Sequence, residues 1–326
     1  MIFAACTSKT AIPTEFPTPE PPPAATPIPK LETKRDAELE TQLAKIAEEA
    51  KGKVGVAAVV LETGDAAFVN ADAHYPMQSV YKLPISMAVM EQVRLGKLDL
   101  DEKIGVTKED FVRQGQRSPL RDKNPNGAEF SIRELIGFAL IESDGTASDV
   151  LIRVAGGTDE IQSYLTQIGI QDIKVVNTEK EIGRDWETQY QNWATPAASA
   201  ELFRWLHVSI QRLPGPAVIV DPPPKEDFGE TDMSWDLLDV DMGRSMTGRK
   251  RIRSLLPKGL SLADKTGTSG TRNGITAATN DIGLIDTGKG KYIAIAVFVS
   301  DSAANEKTRE AVIAKISKAC WDRWNK

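Results

Sequence analysis

The sequence predicts an α+β fold, a sheet assembled from both ends of the chain with a helical block between. Three observations predict it. β-rich runs stand at Lys53–Leu61 near the start and at Leu260–Thr266, Thr276–Asp286 and Tyr292–Ser300 near the end. Between them apolar residues recur every three or four positions, the period of helices. Within that block, Met77-Gln78-Ser79-Val80-Tyr81-Lys82 opens an apolar run (Leu83, Ile85, Met87, Ala88, Val89, Met90, Val93) that reads as a buried helix ending near Gly96.

Taken in order, the elements follow from local pattern. Asp36–Lys51 carries Leu39, Leu43, Ile46, Ala47 and Ala50 at helical spacing. Lys53–Leu61 is a strand, and Phe68-Val69 begins a second short one. Ser131–Ile141 is a helix whose Ser131 and Glu134 form a capping box, the serine accepting from the N3 amide and the glutamate reaching back. Helices over Ala147–Ala155 and Asp159–Ile168 are separated by Gly156-Gly157. Asn177–Thr195 has no apolar period and reads as a long loop, which in a compact domain usually carries function. Helix resumes over Pro196–Gln211, Leu213–Phe228 reads as a Pro-rich surface excursion, and Asn305–Trp321 is a terminal helix packed on the closing strands. No internal repeat is visible.

Composition narrows the chemistry. The chain has 326 residues, 41% hydrophobic and 26% charged, with formal charge −6, so a nucleic-acid surface is not favoured. The basic cluster Arg249-Lys250-Arg251-Ile252-Arg253, taken alone, reads as a solvated helix face. With two histidines and two cysteines, no metal-ligand spacing is present and no cofactor is implied. His207 lies in an apolar helical run and reads as a packed side chain, and His74 is given no role. Cys320 reads as buried and inert. A hydrolase built from this chain must therefore draw its bases from lysine and glutamate.

Ser79 and Lys82 offer such a pair. Residues three apart share a helix face, and a serine at a helix start lies beside free N–H groups and the positive dipole end. A lysine activates a serine when it can take its proton. Alone, Ser-x-x-Lys is a common coincidence. Here Ser143-Asp144-Gly145 and Lys265-Thr266-Gly267 follow in the same order, and together the three match the signature set of class A β-lactamases and penicillin-binding proteins. The chain resembles the class A serine β-lactamases over nearly all of residues 35–326. Within them, Tyr75–Leu83, Gln189-Tyr190-Gln191-Asn192-Trp193 and Lys265–Gly270 with Thr276–Asp281 look like the PER-type extended-spectrum subgroup.

That resemblance implies an antiparallel five-stranded sheet flanked by helices, with an all-helical subdomain over roughly residues 72–258. It implies Ser79 as nucleophile, Lys82 and Glu179 as bases with the acylation base left open between them, and backbone N–H groups of Ser79 and Thr268 as oxyanion donors. Ser143 would protonate the leaving nitrogen, with Lys265 supplying positive potential beside it. Thr266, Thr268, Ser269 and Gly145 become substrate-binding positions, and Arg251 a partner for the substrate carboxylate. Glu181 is read as solvent-facing. Two departures stand out. Gly145 replaces the family's asparagine in the Ser-Asp-Asn triplet, and Gly183 replaces the loop asparagine that helps hold the hydrolytic water, as the PER-type subgroup also lacks it. The implied activity is hydrolysis of penicillins and cephalosporins. A D-Ala-D-Ala carboxypeptidase and a slowly deacylating β-lactam sensor stay open as alternatives.

The N-terminus adds an expectation about location. Ala4-Ala5-Cys6 resembles the lipobox of bacterial lipoproteins, although the charged n-region is not present. The Pro/Thr/Ala/Glu tract Pro13–Pro29 reads as an extended, unpacked tether. Residues 1–34 are thus expected to be a truncated signal and tether, and the protein a monomeric, periplasmic enzyme with a possible lipid anchor at Cys6.

Overall fold

A computed structural model describes residues 23–212 and 235–325. The Leu213–Phe228 excursion and Cys6 lie outside the described residues.

The principal sheet runs, edge to edge, Lys34–Arg35, Asp65–Val69, Lys53–Val60, Tyr292–Ser302 and Ile275–Asp286, with Leu262–Thr268 and Thr271–Arg272 both pairing to Ile275–Asp286. The ends of the chain meet at its centre, where Val56 faces Val297 and Ala58 faces Ile295. The expected five antiparallel strands are all present. Two further strands, each two residues long, make seven, and the first of these pairs in parallel, Lys34 against Asp65, so the sheet is mixed.

Strand alternation divides the core in two, because successive side chains point to opposite faces. Ile293, Ile295, Val297 and Val299 join Leu39, Leu43, Ile313 and Ile316 under the first and last helices, Ala37–Ala47 and Glu306–Trp324. Ala294, Ala296 and Phe298 face the other way, toward the helical block. At its heart is Lys82–Arg94, whose residues from Lys82 to Glu91 are all buried. A helix buried all round is an internal one rather than a surface amphipath.

Several boundaries differ from the sequence reading for local reasons. Ser131 and Glu134 do form the capping box of Ile132–Leu140. The next helix starts earlier than expected, at Gly145, because the Asp144 carboxylate caps it by accepting from Ala147 N. The Asn177–Thr195 segment is not all loop. It holds a one-turn helix, Glu179–Ile182, and a short strand, Trp193–Ala194, paired with Tyr75–Pro76 and Ile173–Lys174. Glu181 is not a solvent-facing carboxylate, since it completes a capping box with Thr178.

The Pro-rich tract departs furthest from its reading. From Pro23 it is strapped to the body: Ala25 N donates to Glu91 Oε1 (2.7 Å), Trp205 Nε1 to Thr26 O (2.9 Å) and Arg204 to Pro29 O (2.8 Å). Ala25 and Ile28 pack against the central core. A proline-rich stretch has few N–H groups and cannot join a ladder, but its carbonyls still accept, and Trp205 and Arg204 use two of them.

Candidate active site

The expected nucleophile sits where the 3₁₀ turn Gln78–Tyr81 runs into the central helix. Ser79 is half-exposed amid buried neighbours. Asn280, on the long strand Ile275–Asp286, donates to the carbonyls of Pro76 (2.8 Å) and Met77 (3.2 Å), tying the turn to the sheet. Gln78 holds φ of +49°, a region that costs non-glycine residues energy, and its side chain is pinned by Gln189 at 2.7 Å.

Lys82 Nζ lies 2.8 Å from Ser79 Oγ and 2.8 Å from Glu179 Oε2. The lysine is fully buried. A second donor reaches the same carboxylate oxygen, the Tyr81 hydroxyl at 2.8 Å. Burial pushes the Glu179 carboxyl up, but the Lys82 charge and hydrogen bond, the Tyr81 hydroxyl and the Lys265 charge together hold it below the ordinary carboxylate range. Opposite charge and hydrogen bonds to the ionised form both favour ionisation.

Ser143 faces this group from the junction between the helices Ile132–Leu140 and Gly145–Ala155. Its φ is +56°, and Lys265 Nζ donates to its hydroxyl at 2.9 Å. Lys265 is fully buried on the strand Leu262–Thr268. Burial, followed by the nearby Lys82 charge, brings its pKa down to about 7, against the opposing charges of Asp264, Asp281 and Glu179. The serine–lysine pairs thus act on each other electrostatically, and the expected five residues, Ser79, Lys82, Ser143, Glu179 and Lys265, form one constellation.

The expected substrate contacts are placed less simply. Thr268 is exposed at the end of its strand, and that strand packs against the turn bearing Ser79. Arg251 is not a solvated surface charge. It is 4% exposed, and its guanidinium donates to Gly267 O (3.2 Å), Asn280 O (2.9 Å) and Thr268 Oγ1 (2.7 Å), with Glu310 as a charge contact at 3.4 Å. Its reach to a ligand runs through the Thr268 hydroxyl. Thr266 is buried and shares a hydrogen bond with Thr247 (2.7 Å). Ser269 Oγ accepts from Ala278 N at 2.8 Å and serves the hairpin rather than the cleft. Gly145 is buried, and the direction a side chain there would take is filled by Cγ of Glu179.

Other residues complete the site without a signal in the motifs. Asp149 accepts from the N–H groups of Glu179 (2.6 Å) and Lys180 (3.1 Å), which anchors the one-turn helix. Burial raises the Asp149 carboxyl to about 7, with the Glu179 charge adding to the rise and its two N–H bonds opposing it. Gln116 donates to the carbonyl of Glu179. His74 stacks on Trp193, and His207, buried beside Tyr292, is a packed side chain whose pKa burial lowers. Cys320 is buried, its thiol pushed up to about 12. Among the described residues no cluster of three or more His, Cys, Asp or Glu could hold a metal ion, and no helix is long and apolar enough to cross a membrane.

A buried lysine on a serine hydroxyl, a carboxylate on that lysine and a second serine–lysine pair define a serine acyl-transfer hydrolase that works without histidine. Comparison with known proteins agrees. The β-lactamase enzyme family matches residues 38–324. The chain is 35% identical over 270 residues to β-lactamase VEB-1 of Pseudomonas aeruginosa, covering 83% of this chain and 85% of that protein. It is 34% identical over 285 residues to the extended-spectrum β-lactamase PER-1 of the same organism, covering 87% and 86%. Among solved structures, the TLA-3 extended-spectrum β-lactamase superposes with a TM-score of 0.80 at 37% identity, covering 89% of this chain and 99% of that one. The chain belongs to the β-lactamase enzyme family, and the class A resemblance carried by its three motifs is borne out.

Proposed function

We propose that the chain hydrolyses penicillins and cephalosporins through an ester on Ser79, and so confers resistance to them. The observation that carries this reading is the unbroken chain Ser79 Oγ–Lys82 Nζ–Glu179 Oε2, each link 2.8 Å. Ser79 Oγ attacks the lactam carbonyl carbon and its proton passes into the Lys82–Glu179 pair. The carbonyl oxygen takes up negative charge, which the backbone N–H groups of Ser79 and Thr268 meet as oxyanion donors. The carbon–nitrogen bond breaks, and the nitrogen takes a proton from Ser143. Ser143 regains one from the lysines, so the proton lost by Ser79 ends on the amine. Lys265 and the Thr268 hydroxyl, which Arg251 orients, hold the substrate carboxylate.

Deacylation returns the enzyme. Glu179, ionised because its neighbours favour the charged form, takes a proton from water as the water oxygen attacks the ester carbon. The bond to Ser79 Oγ breaks and the oxygen recovers a proton, leaving a carboxylic acid and an amine as the opened product. Intact-protein mass spectrometry after a penicillin pulse tests both halves. Wild type is expected to show no persistent adduct, and Glu179→Gln to hold one acyl group, with deacylation slowed by about 10²–10⁴. A wild-type adduct lasting hours would make the protein a β-lactam sensor. Cleavage of a D-Ala-D-Ala peptide without lactam turnover would make it a carboxypeptidase.

Ala4-Ala5-Cys6 and the Pro-rich residues between it and the strap support a periplasmic enzyme tethered through a lipid on Cys6. Fractionation of cells producing the native chain and Cys6→Ser tests this. Membrane association lost in the variant supports the anchor, and equal distribution refutes it.

A further inference from the structure

We propose that Gln116 is a positioning residue for the deacylating carboxylate, its carboxamide filling the space left by the absent side chain at Gly183 and holding the carbonyl of Glu179. The proposal rests on the reading of Glu179 as the residue that activates water.

A helix of one turn fixes several backbone angles for very few internal hydrogen bonds, so Glu179–Ile182 takes its position from its neighbours. Asp149 holds its N-terminal amides from one side. The segment 109–117 holds it from the other: Gln116 Nε2 donates to Glu179 O, Arg113 donates to Gly183 O at 3.1 Å, and Lys180 Nζ bonds Glu109 O. The Gln116 carboxamide is fixed at both ends, because its oxygen accepts from Arg113 N at 3.2 Å. Reversing the amide would place a donor against that N–H and an acceptor against the Glu179 carbonyl.

The glycine beneath it is explained by this contact and by nothing in its own backbone. Gly183 has φ −73° and ψ −2°, which any residue adopts. A Cβ there, however, would stand 2.5 Å from both Cδ and Nε2 of Gln116, closer than carbon atoms pack. Gly145 is matched in the same way. A Cβ on it would lie 2.7 Å from Cγ of Glu179 and 3.2 Å from Arg117 O, and its N–H donates to that same carbonyl at 2.9 Å. The two glycines that depart from the family pattern are therefore occupied seats. One receives Gln116 and the other the Glu179 side chain.

Single-turnover deacylation of a chromogenic cephalosporin, with melting temperatures alongside, tests this in Gln116→Ala, Gln116→Met, Gly183→Ala and the Gln116→Ala/Gly183→Ala pair. Loss of the donor in the alanine and methionine variants is expected to slow deacylation by about tenfold to a hundredfold while the second-order acylation rate changes little. Gly183→Ala alone is expected to slow it at least as much, by expelling the carboxamide, and the double variant to be no slower than the worse single one. Deacylation within about twofold of wild type in Gln116→Met, or strictly multiplied losses in the double variant, overturns the proposal. Glu179→Gln run in parallel keeps the two failures apart: unchanged deacylation there refutes the water-activating role of Glu179 itself.

Discussion

Replacing Tyr81 by Phe isolates what keeps Glu179 ionised. The phenol is fully buried and donates to Glu179 Oε2 at 2.8 Å, sharing that oxygen with Lys82. The nearest hydroxyl does not take over: Ser148 Oγ, 3.4 Å from the phenol, is already committed to the carbonyl of Gly145 at 2.8 Å. A hydrogen bond to a charged group contributes about 1.5–3 kcal/mol, and each pKa unit corresponds to about 1.4 kcal/mol. Removing the hydroxyl should therefore raise the Glu179 pKa, because the ionised carboxylate loses one of the hydrogen bonds that favour it. Deacylation needs the carboxylate, so its rate falls as pH drops through that pKa. In Tyr81→Phe the fall begins at correspondingly higher pH, while the plateau near neutrality drops far less because Lys82 remains. The assay is decay of a preformed acyl-enzyme, followed by intact mass from neutrality down to below the ordinary carboxylate range, where the wild-type limb lies. An acid limb that stays where wild type has it would refute the claim that the tyrosine hydroxyl helps hold the charge.

Two further predictions use other parts of the structure. With Lys265 brought down to about 7 in the free enzyme, kcat/KM, which reports free-enzyme ionisations, should fall as pH rises through that value and the ammonium is lost. Bound substrate carboxylate favours the charged lysine, so the same limb in kcat lies higher, and Lys265→Arg, always charged, should abolish it; pH profiles that match between arginine variant and wild type would count against the assignment. A chain beginning at Leu31 loses the strap contacts of Ala25, Thr26 and Pro29, each worth about 1 kcal/mol. Compared with a chain beginning at Pro23, its melting temperature should fall by several degrees with kcat unchanged, as calorimetry beside a steady-state assay would show.

The expected constellation was legible because its chemistry is written in short spacings. Ser79 and Lys82 share a helix face, Ser143 adjoins a helix cap, and Lys265 lies on a strand of obvious β pattern. Four of the longer strands were equally plain, while Asp65–Val69 was read only from Phe68-Val69, which end that strand rather than begin it. The two-residue strands were not, since alternation needs several residues to register, and it was one of these that made the sheet mixed. Tyr81 sits inside the leading motif, yet nothing in that motif assigns its hydroxyl to Glu179, 98 residues away in sequence. Asp149 carries no signal in its own stretch, because its two amide partners lie about thirty residues away in sequence.

Arg251 shows what sequence position alone leaves open. Its place before the closing strands suggested a direct grip on the substrate carboxylate, but burial and four long-range partners convert it into the residue that orients Thr268. Gly145 and Gly183 make the converse point. Sequence shows each as an amide lost, because it records what a position lacks; only tertiary packing shows that Glu179 and Gln116 have moved into the space. The same logic governs the charges. Lys82 and Lys265 repel each other, a cost in a buried site; burial first and that repulsion second bring Lys265 down, while the attraction of both lysines for the carboxylate helps keep Glu179 ionised. A surplus of positive charge around one carboxylate is what lets a site with no histidine hold an anionic base at neutral pH.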